Sequence, residues 1–148
     1  VSKTSVLFLC RDNALLSPLA EAYLNQRGDG LVRAFSAGVH GTRDLDSSVP
    51  RLLGARGLSF ETLEPKSFEI FTFPHAPMPD RVILLDGSAL PDLPRHWEGH
   101  VAVNAWNVAA GIGYPHSFAA AGEYFRRIRH AVDRVLEPEP VFPTARVA

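Results

Sequence analysis

The stretch Val6-Leu7-Phe8-Leu9-Cys10-Arg11-Asp12-Asn13-Ala14-Leu15-Leu16-Ser17-Pro18-Leu19-Ala20-Glu21-Ala22-Tyr23-Leu24-Asn25 decides the fold. Val6 to Leu9 run apolar without alternation, the pattern of a parallel strand covered on both faces. Ser17 followed by Pro18 reads as a helix start, with serine as N-cap and proline at the first helical position. Leu15, Leu16, Leu19, Tyr23 and Leu24 then recur at helical spacing up to Gly28. Between strand and helix lies the loop Arg11, Asp12, Asn13, Ala14, Leu15, Leu16 and Ser17. A loop in that place turns backbone N–H groups inward and adds the positive end of a helix dipole, about half a unit charge, so it favours an anion. At its head, Cys10 is expected to feel that field, which lowers a thiol pKa and makes the thiolate a nucleophile. A small buried residue closing a strand fits the same position, since unpaired cysteine is often fully buried.

Outward from this stretch, strands alternate with helices. Leu31 to Ala37 gives a second strand, ended by Gly38. Ser47 or Ser48 caps a helix with Val49, Leu52 and Leu53 on its apolar face, stopped by Gly57 in a left-handed conformation. A turn of helix at Ser67 to Phe71 precedes a loop marked by Pro74, Pro77 and Pro79. A third strand follows at Arg81 to Leu85 and a short fourth at His100 to Val103. Phe118, Phe125, Ile128, Val132 and Val135 then mark one face of a long helix, with Arg126, Arg127 and Arg129 off that face. The expected architecture is α/β: a small doubly wound parallel sheet of about four strands, with helices on both faces and right-handed crossovers. Its ligand site belongs at the carboxyl ends of the strands, where Cys10 lies. Residues 1–137 are read as one domain, and residues 138–148, with Pro138, Pro140 and Pro143, as an extended tail.

Composition narrows the function. A chain of 148 residues with 46% hydrophobic and 21% charged residues is an ordinary globular protein, long enough to bury a real core. A formal net charge of -1 gives nucleic-acid binding no electrostatic support. One cysteine excludes an internal disulfide and points to a reducing compartment. The apolar runs are too short to span a bilayer and the N-terminus has no signal-peptide pattern, so a cytoplasmic protein without membrane association is expected.

Other features read as structure. His96 and His100 suit a metal only on a helix, and Gly99 with the nearby prolines argues against one, so no metal or cofactor is expected. Asp44 and Asp46 read as a solvated loop, and Gly111-Ile112-Gly113 is too short for a dinucleotide fingerprint. Trp97 and Trp106 are read as packing residues rather than a binding platform.

The opening stretch resembles that of low-molecular-weight protein tyrosine phosphatases and their thioredoxin-coupled arsenate reductase relatives. In that family the loop runs Cys, five residues, Arg, then Ser or Thr, commonly with Asn third after Cys and Ala-Glu-Ala inside the helix. Cys10, Asn13, Ser17 and Ala20-Glu21-Ala22 fit. Phe35-Ser36-Ala37-Gly38 is similar to the family's second strand end, Pro65-Lys66-Ser67 to its Arg/Lys-Ser element, and Asp80 to Asp86 to its third strand. Trp97-Glu98-Gly99, Trp106 and Phe125-Arg126-Arg127-Ile128 resemble the bacterial arsenate-reductase branch. The resemblance implies Cys10 and Ser17 as catalytic residues of an active member, with Arg11 to Ser17 as the anion cradle.

The departures bear on activity. Leu16 stands where the family carries its arginine, whose guanidinium fork holds two phosphoryl oxygens and stabilises the transition state. By analogy with other phosphoryl-transfer sites that loss costs on the order of 10³- to 10⁵-fold in rate. Asp12 replaces the usual glycine, placing a carboxylate beside the cradle, and Arg11, next to Cys10, is expected to project towards the mouth. The family's general-acid aspartate is missing from Trp106 to Pro115, a further loss of about 10²- to 10⁴-fold. With one cysteine, the intramolecular relay of arsenate reduction is ruled out. The leading expectation is a phosphatase-like domain with little or no phosphatase activity, a pseudoenzyme that binds a phosphate-like anion, a phosphorylated ligand or a protein partner. The alternatives are a specialised cysteine-dependent phosphomonoesterase, with Arg11 or a distant basic residue in place of the arginine, and a redox sensor built on an exposed Cys10 thiolate.

Overall fold

Val6, Phe8 and Cys10 enter one apolar cluster while Leu7 and Leu9 enter another, which is why the first strand shows no polar alternation. The computed structural model describes residues 4–110 and 117–136. The strands are β1 (Thr4–Cys10), β2 (Val32–Gly38), β3 (Arg81–Leu84) and β4 (Ala102–Ala105). They form one sheet in the order β2-β1-β3-β4, with every neighbouring pair parallel. The α-helices are α1 (Leu16–Arg27), α2 (Ser48–Ala55) and α3 (Phe118–Leu136). Cys10 is paired with Gly38, so the first two strands end together at the sheet's carboxyl edge.

One face is covered by the three α-helices: Leu16, Leu19, Tyr23 and Leu24 of α1, Val49 and Leu53 of α2, and Tyr124, Phe125, Ile128 and Val132 of α3. Burying each such side chain contributes roughly 1.5–3 kcal/mol. Tyr23 and Phe125 meet edge-on, their centroids 6.0 Å apart, and the Tyr23 hydroxyl donates to Asp133 at 2.8 Å, so α1 and α3 are fastened at that crossing. The opposite face is covered by 3₁₀ helices, Phe68–Thr72 and Arg95–Trp97, which bring Phe68, Phe71 and Trp97 against Leu7, Leu9, Val82 and Leu84. Phe68 and Trp97 pack edge-on with centroids 5.9 Å apart. Trp97 is thus a core residue, while Trp106 is half-buried beside Phe8.

Several boundaries differ from expectation, each for a local reason. β2 starts at Val32, because Leu31 is largely exposed and its amide donates to Gly28 O. β4 lies two residues beyond the expected span, and all four of its residues are exposed, so no apolar period marked it. The α2 start is held by Asp46, whose carboxylate accepts the Ser48 N–H at 2.8 Å, whereas Ser47 makes no side-chain cap bond. Gly57 does take φ 71°. His96 lies in a 3₁₀ turn and His100 beyond Gly99, which has φ 77°, so the two do not share a helix face, and no metal-binding group of three ligands occurs among the described residues. The expected tail at 138–148 and the Gly111-Ile112-Gly113 segment lie outside the described residues. Among those described, no helix is long and apolar enough to cross a membrane.

Candidate active site

β1 delivers Cys10 to the carboxyl edge, and the loop that follows is fixed from outside by its own carbonyls. Cys10 O, Arg11 O, Asp12 O and Ala14 O accept the amides of Val39, His40, Arg43 and Asp46 at 2.8–3.1 Å. With its carbonyls turned outward to the β2–α2 connection, the loop turns amides inward. The N–H groups of Asp12 and Leu15 meet no acceptor among the described residues, and that of Asn13 is taken by the Cys10 sulfur. Gly38 makes this packing possible: a Cβ there would collide with Gly41 O and lie 3.0 Å from the Asp12 carbonyl carbon.

Asn13 holds the loop from within. It is one of two non-glycine residues at positive φ among those described, at 54°, a conformation asparagine tolerates better than most. Its Oδ1 must be the acceptor because the Lys66 N–H reaches it at 2.8 Å, which orients Nδ2 to donate to Ser17 Oγ at 2.7 Å and Ser36 Oγ at 2.9 Å. Ser36 in turn donates to Glu21 Oε1 at 2.6 Å, and Lys66 Nζ lies 3.9 Å from that carboxylate. Burial pushes the Glu21 carboxyl above the ordinary range, against the opposing effects of Ser36 and Lys66.

Ser17 is not the helix cap. α1 begins at Leu16 with no side-chain cap bond, and the Ser17 hydroxyl lies 2.9 Å from Cys10 Sγ. Asn13 donates to that oxygen, whose second lone pair and proton leave either the hydroxyl or the thiol free to donate across the Ser17–Cys10 contact. The expected exposed, acidified thiol is also corrected: Cys10 is 2% exposed. Burial raises its pKa above the ordinary thiol value and the Asp86 charge adds to this, outweighing the opposing bonds from Ser17 and the Asn13 amide. The fold does bring Cys10, Asn13 and Ser17 together.

Leu16 is 4% exposed and packs in the cluster of Leu19, Phe8 and Val49. Ala14 and Leu15 are buried too, so of the loop's side chains only Arg11 and Asp12 reach the open cavity of about 700 Å³ above it. His40, Arg43, Asp86 and Ser88 complete much of its lining. Arg11 projects to the mouth as expected, its backbone N–H donating to Asp86 Oδ2 at 2.9 Å. Asp12 pairs with Arg43 at 2.9 Å and accepts the Ala14 N–H at 3.3 Å. His40, Arg43 and Asp86 were missed in the sequence because they follow other strands, and only the sheet order gathers the loops after β1, β2 and β3 where the connections leave in opposite directions.

Solved structures of arsenate reductases and of a tyrosine phosphatase share this fold. Comparison with curated proteins gives no match. An arsenate reductase in the phosphate-binding state superposes with a TM-score of 0.71 at 20% identity, covering 89% of this chain and 95% of its own. Arsenate reductase from Archaeoglobus fulgidus gives 0.60 at 27% identity, covering 86% and 98%. The tyrosine phosphatase Wzb from Escherichia coli K30, in complex with sulphate, gives 0.67 at 18% identity, covering 90% of this chain and 96% of its own. Residues 5–136 match the family model for low molecular weight phosphotyrosine protein phosphatase, and with that match spanning both sheet faces and the Cys10 loop, the chain belongs to this family.

Proposed function

We propose that the protein is a phosphatase-family domain with little or no phosphatase turnover, which binds a phosphate-like anion or phosphorylated ligand at the loop after β1 and acts through that ligand or a protein partner. The observation that carries it is Leu16, 4% exposed in an apolar cluster at the position where the resemblance puts the arginine. No guanidinium stands there to neutralise a phosphoryl transition state. The buried thiol, with its raised pKa, adds to this, since a thiol that resists ionisation is a poor nucleophile at neutral pH and a poor redox sensor. Loop amides that meet no oxygen acceptor among the described residues, those of Asp12 and Leu15, still favour an anion. A reducing cytoplasmic setting suits the lone thiol.

Hydrolysis of para-nitrophenyl phosphate should therefore stay near background, while sulfate or vanadate perturbs the amide resonances of residues 11–17. Turnover in the ordinary range of about 1 to 10³ per second would overturn the proposal.

A further inference from the structure

Two amides of the loop after β1 already hold carboxylates of the protein itself. The Arg11 N–H donates to Asp86 Oδ2 at 2.9 Å, and the Ala14 N–H to Asp12 Oδ1 at 3.3 Å. Both acids line the cavity over the loop, together with Arg11, His40, Arg43 and Ser88. Asp12 is matched by Arg43 Nε at 2.9 Å, whereas among the described residues Asp86 accepts only amides, those of Arg11 and Ser88. The Arg11 side chain makes no ion pair among the described residues. Arg11 and Arg43 thus balance Asp12 and Asp86, and Leu16 adds no charge. With Asp12 matched by Arg43, an entering dianion meets one unmatched carboxylate, Asp86, and has a single uncommitted guanidinium, Arg11, to oppose its two charges. A monoanion needs one cation, and Arg11 supplies it in a fork that fits two oxygens.

We infer that the ligand carries a single negative charge on its phosphoryl group, as a phosphodiester does, with Arg11 on the two non-bridging oxygens and the unmatched Asp86 disfavouring dianionic monoesters. This rests on the binding role proposed above and names its ligand class. Shape agrees with charge. A diester carries a substituent on each side of phosphorus, which an open cavity of about 700 Å³ accommodates, whereas Cys10 beneath it is 2% exposed.

The test titrates the folded protein with dimethyl phosphate and with methyl phosphate at about pH 8, where the monoester is a dianion, following amide shifts of residues 11–17 and 86–88. Dimethyl phosphate is expected to bind at least about fivefold tighter, a preference of about 1 kcal/mol. Arg11→Gln should abolish its binding and Arg11→Lys should weaken it, while Asp86→Asn should narrow the preference. Asp12→Asn gives the same readout should Asp86→Asn fail to fold. Glycerophosphocholine and a cyclic nucleotide, tested in parallel, distinguish the two small-molecule sources of a diester, one of them binding tighter than dimethyl phosphate. Tighter binding of methyl phosphate, or binding indifferent to Arg11→Gln, overturns the inference and leaves the anion-binding role intact. Absence of any anion binding overturns both, and so does hydrolysis of para-nitrophenyl phosphate, itself a dianionic monoester, at an ordinary enzymatic rate.

Discussion

Leu16 and Cys10 are neighbours in one apolar cluster, and the chemistry of each is set by that company. A leucine at 4% exposure cannot be replaced by a charged fork without cost, because burying an unpaired guanidinium is expensive. Leu16→Arg should lower stability by a few kcal/mol in chemical denaturation, and, where it folds, should strengthen sulfate or vanadate binding by adding two charge-assisted hydrogen bonds. Binding should recover before catalysis, since hydrolysis still lacks a proton donor. A folded variant with wild-type anion affinity would show that position 16 does not face the cradle. For Cys10 the expected behaviour is slow alkylation at neutral pH, with the rate rising only above the free-thiol range of about 8.5, since burial raises its pKa. Ser17→Ala removes the hydroxyl 2.9 Å from the sulfur and should push that profile further up. A profile shifted below the free thiol would contradict the buried geometry.

Elements were legible wherever one physical signal was strong. β1 and β3 declared themselves through unbroken apolar runs, and α3 through its apolar stripe, because each places Val, Leu, Ile or Phe where burial requires them. β4 was not, since Ala102–Ala105 is an exposed edge held by pairing to β3 rather than by side-chain burial. The serine-proline pair misled for a similar reason: the signal is that of a cap, but Asn13 and Cys10 engage the hydroxyl first. Gly38 was readable as a strand end, although its reason is a backbone contact with Gly41 and Asp12 that appears only in three dimensions. Gly38→Ala should accordingly disturb the amide resonances of residues 11–14 while leaving those of α3 unchanged. On α3, Glu123 accepts from Arg126 at 2.7 Å and from Arg127 at 2.9 Å, and these hydrogen bonds hold its carboxyl down to about 2. With a folded pKa below the unfolded one, this contribution is complete above the ordinary carboxylate range and is lost as pH falls from about 4.5 towards 2. Arg127 also donates to Val108 O at 3.0 Å and Ala110 O at 2.6 Å, so it ties the segment after β4 to the helix. Arg127→Ala should speed amide exchange at residues 108–110, and unchanged exchange there would show that this tether is idle.

Across the whole molecule, one polar chain joins parts that the sequence sets far apart: the loop after β1 through Asn13, α1 through Glu21, β2 through Ser36, and the segment before the first 3₁₀ helix through Lys66. Its residue types were visible in the sequence, but their convergence was not, because the Asn13 to Lys66 bond spans 53 residues. The same convergence makes Glu21 a reporter of global stability. Desolvation raises its folded pKa above the ordinary 4.5, so the native state keeps a proton that the unfolded chain has already released. Where the native state binds more protons than the unfolded one, stability falls as pH rises. The decline begins near 4.5 and levels off above the native pKa, where Glu21 is ionised in both states. Glu21→Gln keeps an acceptor for Ser36 and removes the titration. Its stability relative to wild type should therefore climb as pH increases through that window, measured by urea unfolding at a series of pH values. Lys66→Met should extend the window upwards by removing the cation 3.9 Å from the carboxylate. A Glu21→Gln difference that is flat from pH 4 to 8 would mean that solvent reaches Glu21 in the native state. A falling difference would mean that the Lys66 charge outweighs burial, and the buried carboxyl would then be ionised beneath the loop, opposing anion binding there.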